Sequence, residues 1–245
     1  MSKERPFYIM PEYSPVYPAL PYYYRKYRRL SVYCKGNEEA IRDFLPQPLE
    51  YVNNFFEVFV LNNTEVEGLE CYQEAGIVIT AKYKDIVGAY MAYEYVNSDD
   101  ALLAGREIWG YPKKMADCSL AETPEKIVGI AARKGKEIIH AEFVPDDSVK
   151  FEIPQLFPRI QVKRIPRGDA PGCDVDKVFM MFADTGNEFG AMHDIAFGKG
   201  TVTFEKSEFD PLYKLGPTEI LGARFATGDF VLNYGTDVTD YEPKK

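Results

Sequence analysis

Two adjacent lysines, Lys113 and Lys114, follow a proline in the segment LLAGREIWGYPKKMAD, residues 102–117. Pro112 fixes its own φ angle and pushes Tyr111 toward extended geometry. If the backbone stays extended after the proline, the two lysine side chains point to opposite faces of a strand. One lysine could then enter a cavity while the other faces elsewhere.

A lysine becomes a nucleophile only after it loses its proton. Its free pKa is about 10.4, so less than about one part in a thousand is neutral amine at neutral pH. Burial disfavours the ammonium and can lower the pKa by roughly 3–5 units. Ile108, Trp109, Tyr111 and Met115 could provide an apolar wall for this purpose. We predict activation by desolvation, since Lys114 on the opposite face would add little cationic repulsion.

Other kinds of catalytic site have little support. His140 and His193 stand alone, and the four cysteines lie far apart without a C-x-x-C pair. Zinc sites usually draw on clustered histidines and cysteines, so both histidines are interpreted as structural. The motifs G-x-S-x-G, G-x-G-x-x-G and G-x-x-x-x-G-K-[ST] do not occur in the sequence. The sequence predicts neither a metal nor an organic cofactor.

Composition narrows the possible partners. The formal net charge of −9 argues against a general nucleic-acid binder, which needs a basic surface. The sequence contains 18 Tyr and 16 Phe, which favour strands and pockets with aromatic walls. The first residues, MSKERPFYIM, lack the apolar region of a signal peptide, and the sequence contains no apolar run long enough to span a membrane. We expect a cytoplasmic protein with reduced thiols and no membrane partner.

The elements that must position the lysines are mostly short strands. Residues 1–24, rich in Pro and Tyr, predict an extended N-terminal arm. Asn37 can cap a short helix that ends at Pro46, and further helical turns begin at Ser98 or Asp99. Strand patterns cover residues 30–35, 55–63, 75–84, 88–97, 157–166, 174–184, 191–209 and 229–235.

The remaining patterns complete the predicted fold. Residues 126–143 predict a hairpin that turns around Lys134, Gly135 and Lys136, and residues 211–227 predict a helical stretch. Many strands with few helices indicate a β-rich α+β fold, with one antiparallel, barrel-like sheet and helices outside it. We expect residues 1–245 to form a single domain.

The segment GREIWGYPKK, residues 105–114, resembles the active-site motif of the acetoacetate decarboxylase family. In that motif Gly-Arg-Glu, a short spacer and Pro-Lys-Lys precede the reactive centre. Further resemblance follows in family order, over about residues 20–235. The matching segments are PQPLEYV, GLECYQEAG, FPRIQVKRIP and DPLYKLGPTEILGA.

The resemblance implies a cone-like, closed antiparallel β-barrel with a few flanking helices, assembled as a homo-oligomer. It also implies that Lys113 forms a Schiff base, for which acetoacetate decarboxylase is the standard example of an activated lysine. Glu74 matches the family's active-site carboxylate, which could orient the substrate or handle protons. Arg106 and Glu107 match the Gly-Arg-Glu motif and are interpreted as supports for the loop beneath the lysine, with Lys114 beside them.

Two positions depart from the family pattern. The family's arginine before the first strand falls within RKYRR, where Arg25 and Arg29 are both candidates. Alignment from CYQEAG places Phe59 where the family has a second glutamate. Glu57 lies two residues earlier and shares its strand face, so it could reach the same cavity. We predict these four residues and Tyr111 as the substrate-binding set. The basic cluster suits a small anionic keto acid, although a solvated run of charge explains it equally.

Three functions remain open from the sequence. The first is a cofactor-independent decarboxylase of a small β-keto acid, with acetoacetate as the default substrate. The second is a Schiff-base aldolase or dehydratase that acts on a pyruvate-like α-keto acid, which the change at Phe59 keeps open. The third is a barrel that binds a small molecule without chemistry, which the intact GREIWGYPKK segment disfavours.

Overall fold

The computed structural model describes residues 8–181 and 191–243, in which fourteen strands form one sheet. The strands are β1 (Tyr22–Lys35), β2 (Glu50–Asn63), β3 (Glu65–Glu67), β4 (Tyr72–Tyr83), β5 (Ile86–Val96), β6 (Lys113–Met115), β7 (Asp117–Glu122), β8 (Ile127–Arg133), β9 (Lys136–Pro145), β10 (Arg159–Pro166), β11 (Cys173–Met181), β12 (Ala191–Thr203), β13 (Glu219–Leu232) and β14 (Thr236–Asp237). The helices are α1 (Glu38–Phe44) and α2 (Asp99–Ala104), with a π-helical turn (Gly105–Trp109) and a 3-10 turn (Leu212–Leu215).

The sheet has two ends and is not a closed barrel. Its strand order is β14-β11-β10-β5-β4-β2-β1-β13-β12-β9-β8-β7, with β3 beside β1 and β6 beside β5. All pairs are antiparallel except β5 with β10 and β5 with β6. The predicted closure is wrong because β7 and β8 do not pair with β14 but fold back over the sheet. Gly129 of β8, for example, lies against the side chain of Val60 in β2.

The strands β1, β2 and β4 are buried on both faces over residues 29–34, 55–61 and 74–81. One face packs into the main core, where Val32, Val58 and Ile77 lie side by side. The other face carries a second apolar cluster that includes Tyr33 and Phe59. The charged residues of β1, β2 and β4 that are buried lie on this second face, here called the cavity face.

Two local predictions are confirmed. The side chain of Asn37 accepts a hydrogen bond of 3.1 Å from the backbone N–H of Ala40 and so caps α1. The hairpin between β8 and β9 turns at Lys134 and Gly135, which both have positive φ angles. Glycine adopts a positive φ angle without a steric penalty, so Gly135 lowers the conformational energy of this left-handed turn.

Two other predictions are wrong. β1 begins at Tyr22, so the N-terminal arm is shorter than predicted within the described chain, and residues 1–7 lie outside it. Residues 211–227 form only a 3-10 turn before β13 begins at Glu219. β13 pairs with both β1 and β12, and this tertiary pairing overrides the local helical pattern. Residues 182–184 of a predicted strand lie outside the described residues.

The helices of the described residues are all short. None of them has the length and apolar character needed to cross a bilayer.

Candidate active site

Lys113 begins β6, a short strand that runs parallel to β5 and places the lysine beside Glu94. The side chain is 6% exposed and lines a cavity of about 120 Å³. The π-helical turn that precedes it is the GREIW part of the motif, and Gly105 in this turn lies against the aliphatic stem of Lys113. The motif therefore builds the wall on which the lysine rests.

Lys114 points to the other side of β6, which confirms the predicted opposite orientation of the two lysines. Its Nζ lies 2.7 Å from Oδ1 of Asp210, a fully buried carboxylate. Arg133 approaches the same carboxylate at 3.2 Å, and the hydroxyl of Tyr95 donates a hydrogen bond of 3.1 Å to it. The charge of Lys114 is thus balanced away from the cavity, and this lysine ties β6 to the segment before the 3-10 turn.

Two buried carboxylates surround the amine of Lys113. Its Nζ donates a hydrogen bond of 2.9 Å to Oε2 of Glu74 and lies 3.8 Å from Oε1 of Glu94. The ring of Tyr72 lies below the ammonium at 5.2 Å from its centroid. An ammonium, two carboxyl groups and an aromatic face therefore share one dry corner of the cavity.

The prediction that desolvation lowers the pKa of Lys113 is wrong for this arrangement. Burial does disfavour the ammonium, but Glu74 and Glu94 outweigh burial and raise the pKa of Lys113 above its ordinary value. Burial and the neighbouring Glu74 also raise the pKa of Glu94 well above its ordinary value. The resting site therefore pairs the amine of Lys113 with the carboxyl group of Glu74, and Glu94 is a second acid whose pKa is raised.

A second group of buried charges contributes to the cavity wall. Glu57 accepts hydrogen bonds from Arg29 at 2.9 Å and from Ser31 at 2.6 Å. Its other oxygen lies 3.8 Å from the guanidinium of Arg159. Burial alone would raise the pKa of Glu57, but the two arginines hold that pKa below its ordinary value. Two guanidinium groups therefore share the carboxylate of Glu57.

Each arginine of this group is also stacked on a ring. The guanidinium of Arg29 lies 4.1 Å from the ring centroid of Phe59, and that of Arg159 lies 4.8 Å from the ring centroid of Phe157. Both arginines line the cavity, whereas Glu57 lies behind them. The cavity therefore presents a cationic surface to an anion, and the rings hold both guanidinium planes in place.

The structure separates some of the predicted site residues from the cavity. Arg25 is exposed and pairs with Glu67 at 3.2 Å, whereas Arg29 faces inward. Phe59 is fully buried between Arg29 and Gly76. Tyr111 lines the cavity as predicted.

The two residues of the Gly-Arg-Glu motif that bear charge lie behind the site. Arg106 donates a hydrogen bond of 3.2 Å to the backbone carbonyl of Lys113. Glu107 accepts a hydrogen bond of 2.5 Å from the hydroxyl of Tyr17, which precedes β1. Both therefore hold the backbone around the lysine.

Sequence reasoning missed Glu94 and Arg159. Each stands in an otherwise apolar strand segment, AYMAYEYV and FPRIQV, where an isolated charge signals a buried polar role. The remaining wall is mostly apolar and aromatic. It includes Tyr24, Tyr27, Leu61, Leu69, Tyr72, Met91, Ala101, Ala104, Trp109, Phe157, Met181, Phe230 and Leu232. Among the described residues no cluster of His, Cys, Asp and Glu is arranged to hold a metal ion.

We predict that Glu74→Gln lowers the pKa of Lys113, because the amide removes the nearest negative charge. An opposite charge at this range shifts a pKa by about 1–3 units. Reductive methylation of Lys113, followed by mass spectrometry as a function of pH, should therefore show a midpoint lower by about 1–3 units. Glu70→Gln, an exposed acid on the same segment, is the control. An unchanged midpoint in Glu74→Gln would contradict the ion pair.

We predict that Gly105→Ala reduces the reactivity of Lys113 without unfolding the protein. Gly105 has helical backbone angles, which alanine adopts readily. A Cβ atom there would lie 2.6 Å from Cδ and 2.7 Å from Cε of Lys113, so the lysine must move. A displacement of about 1 Å can cost up to about 100-fold in reactivity. The same methylation assay measures the loss. Gly168→Ala, where a Cβ meets no atom within 4 Å, is the control and should react normally.

Comparison with known proteins places this geometry in a family. The family model for acetoacetate decarboxylase (ADC) matches residues 5–241. The acetoacetate decarboxylase of Bordetella avium is 27% identical over 243 residues, covering 97% of this chain and 96% of the relative. Acetoacetate decarboxylase 2 of Mesorhizobium japonicum is 24% identical over 245 residues, covering 97% of this chain and 90% of the relative.

Solved structures show the same fold. The crystal structure of acetoacetate decarboxylase from Legionella pneumophila superposes with a TM-score of 0.82 at 22% identity, covering 98% of this chain and 94% of that one. The enduracididine biosynthesis enzyme MppR, complexed with pyruvate, superposes with a TM-score of 0.78 at 16% identity, covering 96% and 98%. Since the family model spans nearly the whole sequence, this chain belongs to the acetoacetate decarboxylase family.

Proposed function

We propose that this protein is a carboxy-lyase that forms a Schiff base between Lys113 and a small β-keto acid, with acetoacetate as the default substrate. The observation that carries the proposal is the buried amine of Lys113, which lines a cavity between two carboxyl groups. The membership of this chain in the acetoacetate decarboxylase family supports a decarboxylase-like activity. No cofactor is required in this proposal, because the imine itself accepts electrons.

The first step is a proton transfer from Lys113 to Glu74, whose Oε2 already accepts its hydrogen bond at 2.9 Å. Substrate binding displaces water from the cavity. An ion pair in a drier site loses stabilisation relative to the neutral amine and carboxylic acid. The raised pKa of Lys113 applies to the protein without substrate. In this proposal, substrate binding moves the proton from Lys113 to Glu74.

The neutral amine then adds to the ketone carbon of the substrate. The resulting carbinolamine takes back the proton held by Glu74, loses its hydroxyl group as water and becomes a protonated imine. The electron pair of the C–C bond to the carboxylate moves toward the imine nitrogen, and CO2 leaves. Protonation of the enamine carbon and hydrolysis of the imine release the ketone and restore Lys113.

Arg29 and Arg159 are proposed to bind the substrate carboxylate. Both line the cavity and both are buried, with Glu57 beside them. A substrate carboxylate could accept hydrogen bonds from both guanidinium groups, and hydrogen bonds between charged groups are stronger than neutral ones. The proposed partner is thus a small keto-acid anion.

The arginine pair also favours a second candidate function. In a decarboxylation the carboxylate charge disappears from the reacting group, so strong pairing with two arginines stabilises the ground state. A pyruvate-like α-keto acid keeps its carboxylate throughout an aldol condensation or dehydration. Pairing with the arginines would therefore stabilise its ground state and transition state equally and would not raise the activation barrier. MppR, a structural neighbour, has been solved with pyruvate and with a condensation product of pyruvate and imidazole 4-carboxaldehyde.

We predict that Lys113→Ala abolishes turnover and that Lys114→Ala retains measurable activity, because Lys114 pairs with Asp210 outside the cavity. The protein is incubated with acetoacetate or pyruvate and reduced with borohydride. The adduct is then located by mass spectrometry while CO2 release is measured. An adduct on Lys113 with CO2 supports the decarboxylase, and an adduct without CO2 supports the α-keto acid enzyme. An unmodified lysine with both acids would leave a non-catalytic binding protein.

We predict that Arg159→Met reduces discrimination in favour of anionic substrates. A hydrogen bond to a charged group contributes about 1.5–3 kcal/mol, which corresponds to roughly 10–100-fold. The ratio of borohydride trapping with acetoacetate to trapping with uncharged acetone should fall by that factor. Arg164→Met removes an exposed arginine from the same strand and is the matched control. Equal ratios in wild type and Arg159→Met would show that the substrate carboxylate lies elsewhere.

A further inference from the structure

One row of side chains crosses the cavity face and ends at the reactive lysine. Strand register aligns each member with the next, from β1 through β2, β4 and β5 to β6. The row is Ser31, Phe59, Gly76, Glu94 and Lys113. Residue 59 is the position at which the family resemblance leads us to expect a glutamate, and Glu94 lies two strands away in the same row.

Phe59 reaches across the row toward Glu94. A Cβ atom on Gly76 would lie 2.7 Å from Cε1 and 2.9 Å from Cζ of the Phe59 ring. The ring therefore covers Gly76, which separates β2 from β5 in this row. A carboxylate at residue 59 would extend over the same glycine toward the lysine. Here that space holds an apolar ring, and the acid comes from β5 on the opposite side.

Glu94 is placed to meet the reacting atoms. It lines the cavity, is 3% exposed and has Oε1 at 3.8 Å from the amine of Lys113. Its other oxygen, Oε2, is buried, and the Glu94 carboxyl group also lies within hydrogen-bonding reach of Glu74. Burial and the neighbouring Glu74 raise the pKa of Glu94, so its carboxyl group holds a proton more tightly than a free glutamate does. A buried carboxyl group with a raised pKa beside a reactive lysine is suited to donate a proton.

The two carboxyl groups differ in what they can reach. Glu74 hydrogen-bonds the nitrogen itself at 2.9 Å. The enamine carbon lies two bonds beyond that nitrogen, and proton transfer needs the reacting atoms within hydrogen-bond reach. Glu94, which stands further from the nitrogen, is the carboxyl group whose separation suits the carbon.

We propose that Glu94 is the catalytic acid that protonates the enamine carbon, in the role for which residue 59 lacks a carboxylate. This inference rests on the proposed Schiff base at Lys113. The proton of the Glu94 carboxyl moves to the carbon as the C=C electron pair forms the new C–H bond. The nitrogen lone pair re-forms the C=N bond, so the product is a protonated imine and a Glu94 carboxylate. Glu94 then regains its proton from solvent, which supplies the one proton that the decarboxylation consumes.

The test separates imine formation from proton transfer to carbon. Wild type and Glu94→Gln are incubated with acetone in D2O, and deuterium entry into the methyl groups is followed by NMR. Borohydride trapping on Lys113 is measured in parallel. General acid–base catalysis contributes about 10²–10⁴-fold, so the exchange rate per trapped imine should fall by about 100-fold or more in Glu94→Gln. Glu94→Asp should recover part of this loss.

Two further variants make the result specific. Glu70→Gln, an exposed acid near the cavity segment, should exchange at the wild-type rate. The double variant Phe59→Glu with Glu94→Gln returns a carboxyl group to the other side of Gly76 and should restore exchange at least about tenfold over Glu94→Gln alone.

The outcomes are distinguishable from failure of the proposed function. If wild type forms no adduct on Lys113, the Schiff-base proposal itself is overturned. If Glu94→Gln loses trapping and exchange by the same factor, Glu94 has only a structural role and the inference is wrong. If Glu94→Gln keeps both trapping and exchange at the wild-type level, the inference is also wrong.

Discussion

The structure depends on keeping one ammonium ion in a nearly dry cavity. Lys113 is 6% exposed, and its charge is tolerated because Glu74 accepts its hydrogen bond and Glu94 stands behind it. A buried charge without partners is too costly to persist, so the lysine and its acids must be delivered together. The parallel pairing of β6 with β5 does this, since it sets Lys113 beside Glu94 and leaves Lys114 to Asp210.

The charges of the site fall into two groups with different balance. At the lysine, one amine meets two carboxyl groups, and the pKa values of Lys113 and Glu94 are both raised. At Glu57, two arginines share one carboxylate, and both guanidinium groups line the cavity. The first group suits nucleophilic and proton-transfer chemistry, and the second suits an anion. A keto acid has a ketone that matches the first group and a carboxylate that matches the second.

Residues 59 and 94 lie on either side of Gly76 in one row of the sheet. Strand register places Phe59, Gly76 and Glu94 in one row, and the small Gly76 lets a side chain from either side approach the lysine. Glu57, which the sequence offers as a second carboxylate near residue 59, pairs instead with Arg29 and Arg159. Residues 59 and 94 are far apart in the sequence, but only β4 separates their strands in the sheet. Their proximity is therefore visible only in the tertiary structure.

Local chemistry in the sequence determined a good deal of this protein. Pro112 and extended geometry put Lys113 and Lys114 on opposite faces, and Asn37 capped the first helix, because both effects act within a few residues. Tertiary structure decided the rest. Residues 219–227 became strand by pairing with β1 and β12, the sheet stayed open because β7 and β8 folded over it, and the pKa of Lys113 rose because β4 and β5 brought two carboxyl groups to it. Each of these outcomes arises from contacts between residues far apart in the chain, which a local pattern does not encode.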